Sequence, residues 1–468
     1  MGRRYGGSLR LLALAGALAW GLSACGSAPS EQESSDLAAA RPSGGGGSGT
    51  TTGPKVSAVD PDTVPANSSL TIRVLGSGFT TGSRVEWALK GVLSTKVTTS
   101  GPVTFVSSKE LQVPVTVASD AQLTNYDVVV TTSGGKKGIG VEMLLVVAEI
   151  IVLPEPEGLV RSGAWDVTDN GVIVGGGADA AGRTVALRWT PSGATWTVEQ
   201  LGAGSAKSIN ESGFVLLSNA DLPEAYAHAV RTPTGSVVEF SGFDLMAIGN
   251  SGTLVGHDQT RRETVAWRMS GSGWGSPTTL PVPAGWSAVP NGISDRDDIA
   301  GYAGQSGVNM EWAVVWRFNG TGWGPMELVD SEFGGTALVI NAKGSVGGAH
   351  WPTMDQTCSS RPAFWTAPGA PRQLLAAPLF TCSMGGAWFA DMNNADQSVG
   401  EARIPLKRGA SEWHAVAWLT PADAAPLDLG ALKPMMRSSA LAINDGKLVV
   451  GWVNDGSHNR HAAAWRLP

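Results

Sequence analysis

The hydrophobic and polar positions of this chain follow one pattern that recurs from about residue 149 to the end. Each copy begins with an apolar residue, usually followed by Asn or Ser, and continues with a Gly-containing turn and a Val-Gly pair. The apolar residues that start the copies are Val167, Ile209, Ile248, Ile293, Ile340, Met392 and Ile443. An Ala-rich strand follows in each copy and ends at Trp189, Arg231, Trp267, Trp316, Trp365, Trp418 or Trp465. Successive copies start about 40 to 50 residues apart, the length of a four-stranded blade, so the pattern predicts a seven-bladed β-propeller over residues 149–468.

The two ends of the repeat region predict how the ring closes. The last copy stops soon after Trp465 and leaves no room for a fourth strand, whereas residues 149–153 precede the first copy. We expect this N-terminal strand to complete the last blade, because closure removes open sheet edges. The six repeated Trp are expected to pack as core residues between neighbouring blades.

The repeats resemble the extracellular HAF-repeat family, which is named for a His-Ala-Phe run before such a Trp. The runs that begin at His414 and His461 come nearest, and His228 begins a copy that continues into Arg231. The fifth copy keeps Ala-Phe before Trp365 without the His. The resemblance implies a repeat fold and says little about chemistry.

Residues 55–148 predict a small β-sandwich. Short apolar stretches at 70–75, 84–87, 110–117, 126–132 and 141–147 are separated by Gly, Ser and Asn clusters. Val59-Asp60-Pro61, the run from Gly76 to Phe79, and Lys109-Glu110-Leu111 resemble the motifs of an IPT/TIG immunoglobulin-like module. That resemblance implies a buried Phe79 and an adhesion, ligand-binding or spacer domain. The fold class predicted for the whole chain is thus all-β, an immunoglobulin-like sandwich followed by the propeller.

The N-terminal residues predict export and a lipid anchor. Three Arg precede the apolar run 11–22, as in a secretory signal, and this run is short for a membrane span. Residues 22–25 end in Cys25 and resemble a bacterial lipobox, which implies a signal peptide over 1–24 and lipidation of Cys25. Residues 25–54 form a Gly- and Ser-rich linker. The resemblance implies a protein of the bacterial cell envelope, and Gly26 after the lipidated Cys implies the outer membrane, with a periplasmic or surface-exposed location.

Composition narrows the function. The chain has 468 residues, 62 of them Gly, and a formal net charge of −7, which gives no basic surface for nucleic acid. The six His are dispersed, and no HExxH, CxxC or GxSxG motif is present. The pair His458 and His461 lacks a third metal ligand nearby, and the cluster Asp295, Asp297 and Asp298 is expected to be solvated or to cap a turn. We expect no metal, no cofactor and no enzymatic activity.

The two remaining cysteines predict a disulfide. Cys358 and Cys382 fall in loops on the same end of the fifth copy, and export permits oxidation. Two free thiols are the alternative.

Aromatic and His side chains mark a candidate binding face. They fall in or near the longer loops between second and third strands, at 257–263, 302–311, 349–361, 401–412 and 452–460. The candidate residues are Trp286, His350, Trp351, Trp388, Trp413, Trp452 and His458. Variable loops on a rigid scaffold commonly carry binding, and aromatic faces suit sugar rings. The alternative is that these rings only cover the blade edges.

The sequence therefore predicts an envelope lipoprotein that binds a glycan or protein partner through this long-loop face. Two other hypotheses remain open: a scaffold for outer-membrane protein assembly, and a polysaccharide-degrading enzyme whose carboxylates come from different blades.

Overall fold

The computed structural model describes residues 53–467 except 194, 219–226, 272, 352–358, 382, 384, 407–409, 433–435 and 458. These residues form strands and connections, so the prediction of an all-β fold is confirmed. Within this part of the chain no helix is long and apolar enough to cross a membrane. Cys25, Cys358, Cys382 and His458 lie outside the described residues, and so do the signal peptide and most of the linker.

Two five-stranded sheets are built from residues 55–147. The first contains Lys55–Asp60, Ser68–Ser77, Val97–Thr99, Thr104–Ser107 and Glu110–Val117. The second contains Thr63–Pro65, Arg84–Leu89, Val92–Leu93, Asn125–Thr131 and Lys137–Val147. Their alternating apolar residues form one core that includes Trp87, Tyr126 and the buried Phe79.

The predicted strand 110–117 is found with the same bounds, the other four predicted strands have shifted ends, and five more strands are present. The stretch predicted at 141–147 begins at Lys137, because Lys137–Thr131 pairing starts the hairpin earlier. Thr63–Pro65 was not predicted, since three residues carry too little pattern. It pairs in parallel with Lys137–Val147.

Seven four-stranded antiparallel sheets follow in the described residues, and we number them 1 to 7. Sheet 1 contains Leu159–Val167, Ile173–Asp179, Thr184–Ser192 and Thr195–Ala203; sheet 2 contains Ser205–Ile209, Val215–Ser218, Ala229–Arg231 and Val237–Glu239. Sheet 3 contains Phe243–Ile248, Leu254–Asp258, Glu263–Trp267 and Thr278–Thr279, with a small hairpin of Met269–Ser270 and Gly273–Trp274 beside it. Sheet 4 contains Trp286–Ile293, Ile299–Gln305, Glu311–Trp316 and Glu327–Leu328; sheet 5 contains Gly335–Ile340, Val346–His350, Arg361–Trp365 and Gln373–Leu374. Sheet 6 contains Ala387–Met392, Ser398–Pro405, Ser411–Trp418 and Leu427–Gly430; sheet 7 contains Ser438–Ile443, Leu448–Asn454, Arg460–Arg466 and Ile150–Val152.

The fourth strand of sheet 7 comes from the front of the repeat region. Ile150–Val152 pairs with the third strand, where Ile150 is opposite Trp465 and Val152 is opposite Ala463. Each sheet contacts the next in chain order, and sheet 7 contacts sheet 1. The strand pairing expected for residues 149–153 is therefore found.

The Asn that follows the apolar anchor fastens neighbouring sheets. In sheet 7, Asn444 Oδ1 accepts the N–H of Leu448 at 2.8 Å and closes its own turn. Its Nδ2 donates to the carbonyl oxygen of Thr168 in sheet 1, also at 2.8 Å. Asn393 donates in the same way to Asn444 O, and Asn341 to Asn393 O. The repeated Asn thus satisfies its own turn and bonds the next sheet with one side chain.

Two sets of Trp are structural. The six that end third strands are at most 2 % exposed, as predicted for core residues. A second set sits just after the third strand: Trp196, Trp274 and Trp323 each donate Nε1–H to a carbonyl in the first turn of their own sheet. Three Trp outside the predicted register are therefore explained by capping these turns.

Candidate functional site

The first strand of each of the seven sheets contacts the first strand of the next, and the first strand of sheet 7 contacts that of sheet 1. Asp166 of sheet 1 accepts hydrogen bonds from Ser208 Oγ at 2.7 Å and Ile209 N at 2.8 Å in sheet 2. Asp391 of sheet 6 accepts one from Ile443 N at 2.9 Å in sheet 7. The charge of Asp166 also acts on Asp391, although sheet 7 lies between their sheets.

The two central carboxyls have raised pKa values. Burial raises the pKa of Asp391 to about 7, and the negative charge of Asp166 adds to this. Burial likewise raises the pKa of Asp166, while its bonds to Ser208 and Ile209 lower it. Both residues keep partial exposure in the folded chain, and each carboxyl accepts a backbone N–H from the next sheet.

A hydrogen-bonded ring of polar side chains surrounds the end of the sheets where first and second strands are joined. We call this the turn end, and the opposite one the loop end. Asp445 Oδ1 accepts from Asn394 N, and Asp169 Oδ1 accepts from Asp445 N, each within 2.9 Å. Asn394 Nδ2 also reaches Asp295 of sheet 4 at 3.0 Å, past the small Ala342 of sheet 5. The carboxylates at this end therefore fasten the sheets together.

The loop end holds the residues predicted for binding, and the structure places most of them on strands. Trp286 and Trp388 are on first strands, Trp452 and His350 on second strands, and Trp413 is on a third strand. Trp351 lies in the loop after its second strand. The loops themselves are shorter than expected, because the strands of each hairpin extend further, as at residues 455–459 of sheet 7.

Three predicted residues on sheets 6 and 7 come together around an Arg that the sequence did not single out. The guanidinium of Arg437 lies 5.5 Å from the ring centre of Trp452 and 5.9 Å from that of Trp413. Arg460 lies 4.3 Å from the Trp452 ring. Trp388 is the cross-strand neighbour of Glu401, which pairs with Arg437. We call Trp388, Glu401, Trp413, Arg437, Trp452 and Arg460 the loop-end cluster.

Glu401 is the buried member of the loop-end cluster and holds Arg437 by a hydrogen bond. Its side chain is fully buried, and Arg437 Nε donates to its Oε1. Burial raises the pKa of Glu401, and the hydrogen bond and charge of Arg437 lower it, with smaller effects from Ser439 and Arg460. The side chain of Arg437 is 37 % exposed. A guanidinium has five N–H donors, of which the hydrogen bond to Glu401 uses one.

Burial changes the role of two predicted residues. Trp452 is 2 % exposed and His350 is 3 % exposed, so neither can present a ring face to a ligand. Trp452 instead supports the two arginines. His350 packs edge-on against Phe333 at 5.3 Å, and its burial lowers its pKa to about 4. Trp413 and Trp388 are partly accessible and remain candidate contact rings.

The other predicted residues do not join the cluster. Trp286 packs against Trp312 in sheet 4, with ring centres 5.1 Å apart. Trp351 belongs to sheet 5 and donates its backbone N–H to Gly334 O. The candidate face therefore consists of several separate aromatic groups. The loop-end cluster is the group that combines its Trp rings with charged side chains, Glu401, Arg437 and Arg460.

A signal in the sequence could have found Glu401. The residue after the repeated Gly varies between copies, as His257, Tyr302, Glu401 and Trp452, while the Gly before it stays constant. Arg437 precedes its first strand and carries no such signal.

The HAF-like His residues bond to fourth strands or the segments after them. His414 Nδ1 lies 3.0 Å from the carboxylate of Asp428, and His461 Nδ1 lies 3.1 Å from Glu155. His461 Nε2 contacts Asp455 at 3.3 Å, which gives this His two carboxylate partners in place of a metal. Among the described residues no group of three His, Cys, Asp or Glu is arranged to hold a metal ion.

Comparisons with known proteins give fold neighbours of low similarity. No model of a known protein family matches the chain, and no curated protein sequence does. A puromycin-hydrolyzing peptidase of Mycobacterium tuberculosis is 14 % identical with a TM-score of 0.44, covering 67 % of this chain and 53 % of that one. A puromycin hydrolase complexed with PGG is 12 % identical with a TM-score of 0.36, covering 88 % and 58 %. This chain thus spans little more than half the length of both enzymes. A DUF4784 family protein of Bacteroides caccae is 10 % identical with a TM-score of 0.30, covering 81 % and 96 %.

Proposed function

We propose that this protein is a lipid-anchored protein of the bacterial cell envelope that binds a glycan or protein partner at the loop-end cluster. In this proposal Cys25 carries the lipid and residues 55–148 are an IPT/TIG-like domain. Residues 149–468 form a seven-bladed β-propeller of the HAF-repeat type. The ring order of the seven sheets and the fourth strand given by Ile150–Val152 support the propeller assignment.

One observation carries the binding assignment: Arg437 pairs with the buried Glu401 and lies within 5.9 Å of the ring centres of two indoles. A guanidinium that is already positioned by a carboxylate loses little entropy on binding. Sugar hydroxyls accept hydrogen bonds from it, and the partly accessible Trp413 ring offers an apolar surface beside it. These features favour a glycan over a flat protein surface.

The test is binding of the purified full chain to envelope glycans and to envelope extracts. Trp413→Ala removes one ring of the cluster and is expected to weaken glycan binding at least about tenfold. Trp286→Ala is the matched control, because this half-buried Trp belongs to sheet 4 and lies outside the cluster. Unchanged binding by Trp413→Ala would refute the site. Capture of envelope proteins without any glycan would favour the scaffold hypothesis.

Polysaccharide degradation is a second candidate, favoured by Asp391. A carboxylic acid with a pKa of about 7 beside a second carboxyl, Asp166, suits general acid catalysis. Release of reducing sugar ends by the protein, abolished in Asp391→Asn and retained in the exposed control Glu157→Gln, would establish it. Equal release by both variants would reject it.

A further inference from the structure

A basic cleft lies between sheets 4 and 5 at the turn end, away from the loop-end cluster. Its volume is about 350 Å³, and it is lined by Arg296, Asp298, Arg317, Phe318, Lys343, Gly344 and Ala367. Three of these side chains are cations and one is a carboxylate, in a chain whose formal net charge is −7. The cleft therefore concentrates positive charge on an otherwise acidic protein.

Asp298 holds the two arginines of the cleft side by side. Its side chain is 6 % exposed, and its Oδ1 accepts the backbone N–H of Phe318 at 2.9 Å. Its Oδ2 accepts one N–H from Arg317 at 3.0 Å and one from Arg296 at 3.3 Å. Of the two expectations for this Asp, that it is solvated or caps a turn, the first is wrong, because paired guanidiniums replace water around it. Asp297 is buried as well and accepts from Ser251 Oγ.

The two guanidiniums converge over Gly344. A Cβ added at Gly344 would lie 2.9 Å from Arg317 Nη1 and 3.2 Å from Arg296 Nη2. Gly344 also has φ of +88°, a conformation that glycine adopts readily. The absence of a side chain here leaves the arginines room to sit at the floor of the cleft.

Lys343 adds a third cation at the rim. Its Nζ lies 3.0 Å from Asp396 Oδ2, and its side chain is 54 % exposed. The Phe318 ring forms an apolar wall that packs against Trp323, with ring centres 5.2 Å apart. The cleft thus offers two guanidinium groups, an ammonium group and one aromatic wall.

We propose that this cleft binds a phosphate monoester. A guanidinium has five N–H donors, and in the described residues Asp298 accepts one from each arginine, which leaves the others for a ligand. Guanidinium forks match phosphate oxygens, and a phosphate monoester carries almost two negative charges at neutral pH. With Asp298 and Asp396, the partner of Lys343, both counted, the three cations exceed the two carboxylates by one, so the cleft favours an anion. The phosphate belongs to a soluble phosphorylated sugar or to a lipid headgroup, and both sources share this chemistry.

The equivalent cleft between sheets 1 and 2 does not share this excess of positive charge. That cleft is lined by Thr168, Asn170, Val172, Arg188, Thr190, Ile209, Asn210, Glu211 and Gly213. It has one arginine, which pairs with Glu199 at 2.6 Å, and it has a carboxylate, Glu211. The repeat geometry creates a cleft at both places. The residue types that line the cleft between sheets 4 and 5 make that cleft basic.

The experiment measures binding of glucose 6-phosphate and inorganic phosphate to the full chain by calorimetry, at constant ionic strength with chloride as the reference anion. Arg296→Ala removes the more exposed guanidinium and leaves Arg317 paired with Asp298. Arg183→Ala is the matched control, because its side chain is 84 % exposed and belongs to sheet 1. We expect Arg296→Ala to weaken binding about tenfold, the effect of one lost charge-assisted hydrogen bond, and Arg183→Ala to leave it unchanged.

A second arm uses phosphatidylcholine vesicles with and without phosphatidic acid. The full chain with Cys25→Ala is used there, so that no lipid anchor at this position can hold the protein on the vesicle. Binding to soluble phosphate without vesicle binding identifies a soluble ligand, and Arg296-dependent binding to phosphatidic acid identifies a headgroup. The proposal is overturned if neither probe binds, or if Arg296→Ala and Arg183→Ala bind equally well. Glycan binding at the loop-end cluster does not enter this test.

Discussion

Asp391 gives the sharpest test of the central charges, because its substitution by Asn changes charge and little else. The carboxylate accepts the N–H of Ile443 at 2.9 Å, and an Asn side-chain oxygen can accept the same bond. Burial raises the pKa of Asp391 from its usual value to about 7, with a further contribution from Asp166. The folded protein therefore holds the proton more tightly than the unfolded chain does.

The sign of the effect follows from this raised pKa. The stability that Asp391 contributes is fully present below about pH 4 and is lost as pH rises through about 7. A shift of about three pKa units corresponds to about 4 kcal/mol for a carboxyl shielded from solvent. Because the side chain of Asp391 is partly accessible, water screens the cost, and we expect a gain of about 1–2 kcal/mol for Asp391→Asn at about pH 8.

The assay is urea unfolding of the full chain, followed by Trp fluorescence and circular dichroism at about pH 8 and about pH 4.5. The gain for Asp391→Asn should be largest at the higher pH and mostly disappear at the lower one. Glu157→Gln, an exposed carboxyl on the same domain, should show no pH-dependent gain. A variant that loses stability equally at both pH values would refute the reasoning, since the carboxylate would then be a needed acceptor and its burial would carry no charge cost.

Three further predictions concern the contacts that hold the sheets together. Asn444→Ala should lower the free energy of unfolding by about 2–4 kcal/mol in the same urea assay, because two buried hydrogen bonds are lost. A loss below about 1 kcal/mol would contradict the role of Asn444 in holding sheet 7 to sheet 1. Partial burial lowers the pKa of His461, but its hydrogen bonds to Asp455 and Glu155 outweigh burial and raise it. His461→Gln should therefore destabilise the protein below about pH 6.5 and have little effect once pH has risen through the raised pKa, and a pH-independent loss would count against it. Trp316→Phe should lower the free energy of unfolding by about 1 kcal/mol more than Trp365→Phe, as measured by thermal unfolding. The reason is that Trp316 Nε1 donates to Pro281 O at 2.9 Å, whereas Trp365 Nε1 has no partner in the described residues. Equal losses would show that packing alone matters.

The sequence by itself predicted much of the repeat architecture. Apolar anchors such as Ile443 and strand-ending residues such as Trp465 recur because each copy forms the same turn and the same buried strand. The missing fourth strand of the last copy and the spare strand at 149–153 predicted a pairing that is found. These features are periodic or local, so one chain displays them without a structure.

The candidate sites are formed by residues that do not recur at the repeat spacing, so the sequence pattern could not show that they are neighbours. Arg437 lies outside the repeated positions, yet it meets Trp413 of the preceding sheet and a buried Glu401. Arg296 and Arg317 are separated by 20 residues of sheet 4 and converge because both bond to Asp298 and because Gly344, in a turn of sheet 5, leaves them room. Trp452 and His350 are residue types common in binding surfaces, but the folded chain buries both.

The physical reason is the difference between contacts within a sheet and contacts between sheets. Hydrogen bonding and alternation along a strand fix the first kind, and the sequence carries them as a period. The second kind depends on which side chains the ring brings face to face, and those pairs have no fixed spacing along the chain. The sequence therefore determined the strands and their order, whereas only the tertiary structure decided which charges and aromatic rings share a site.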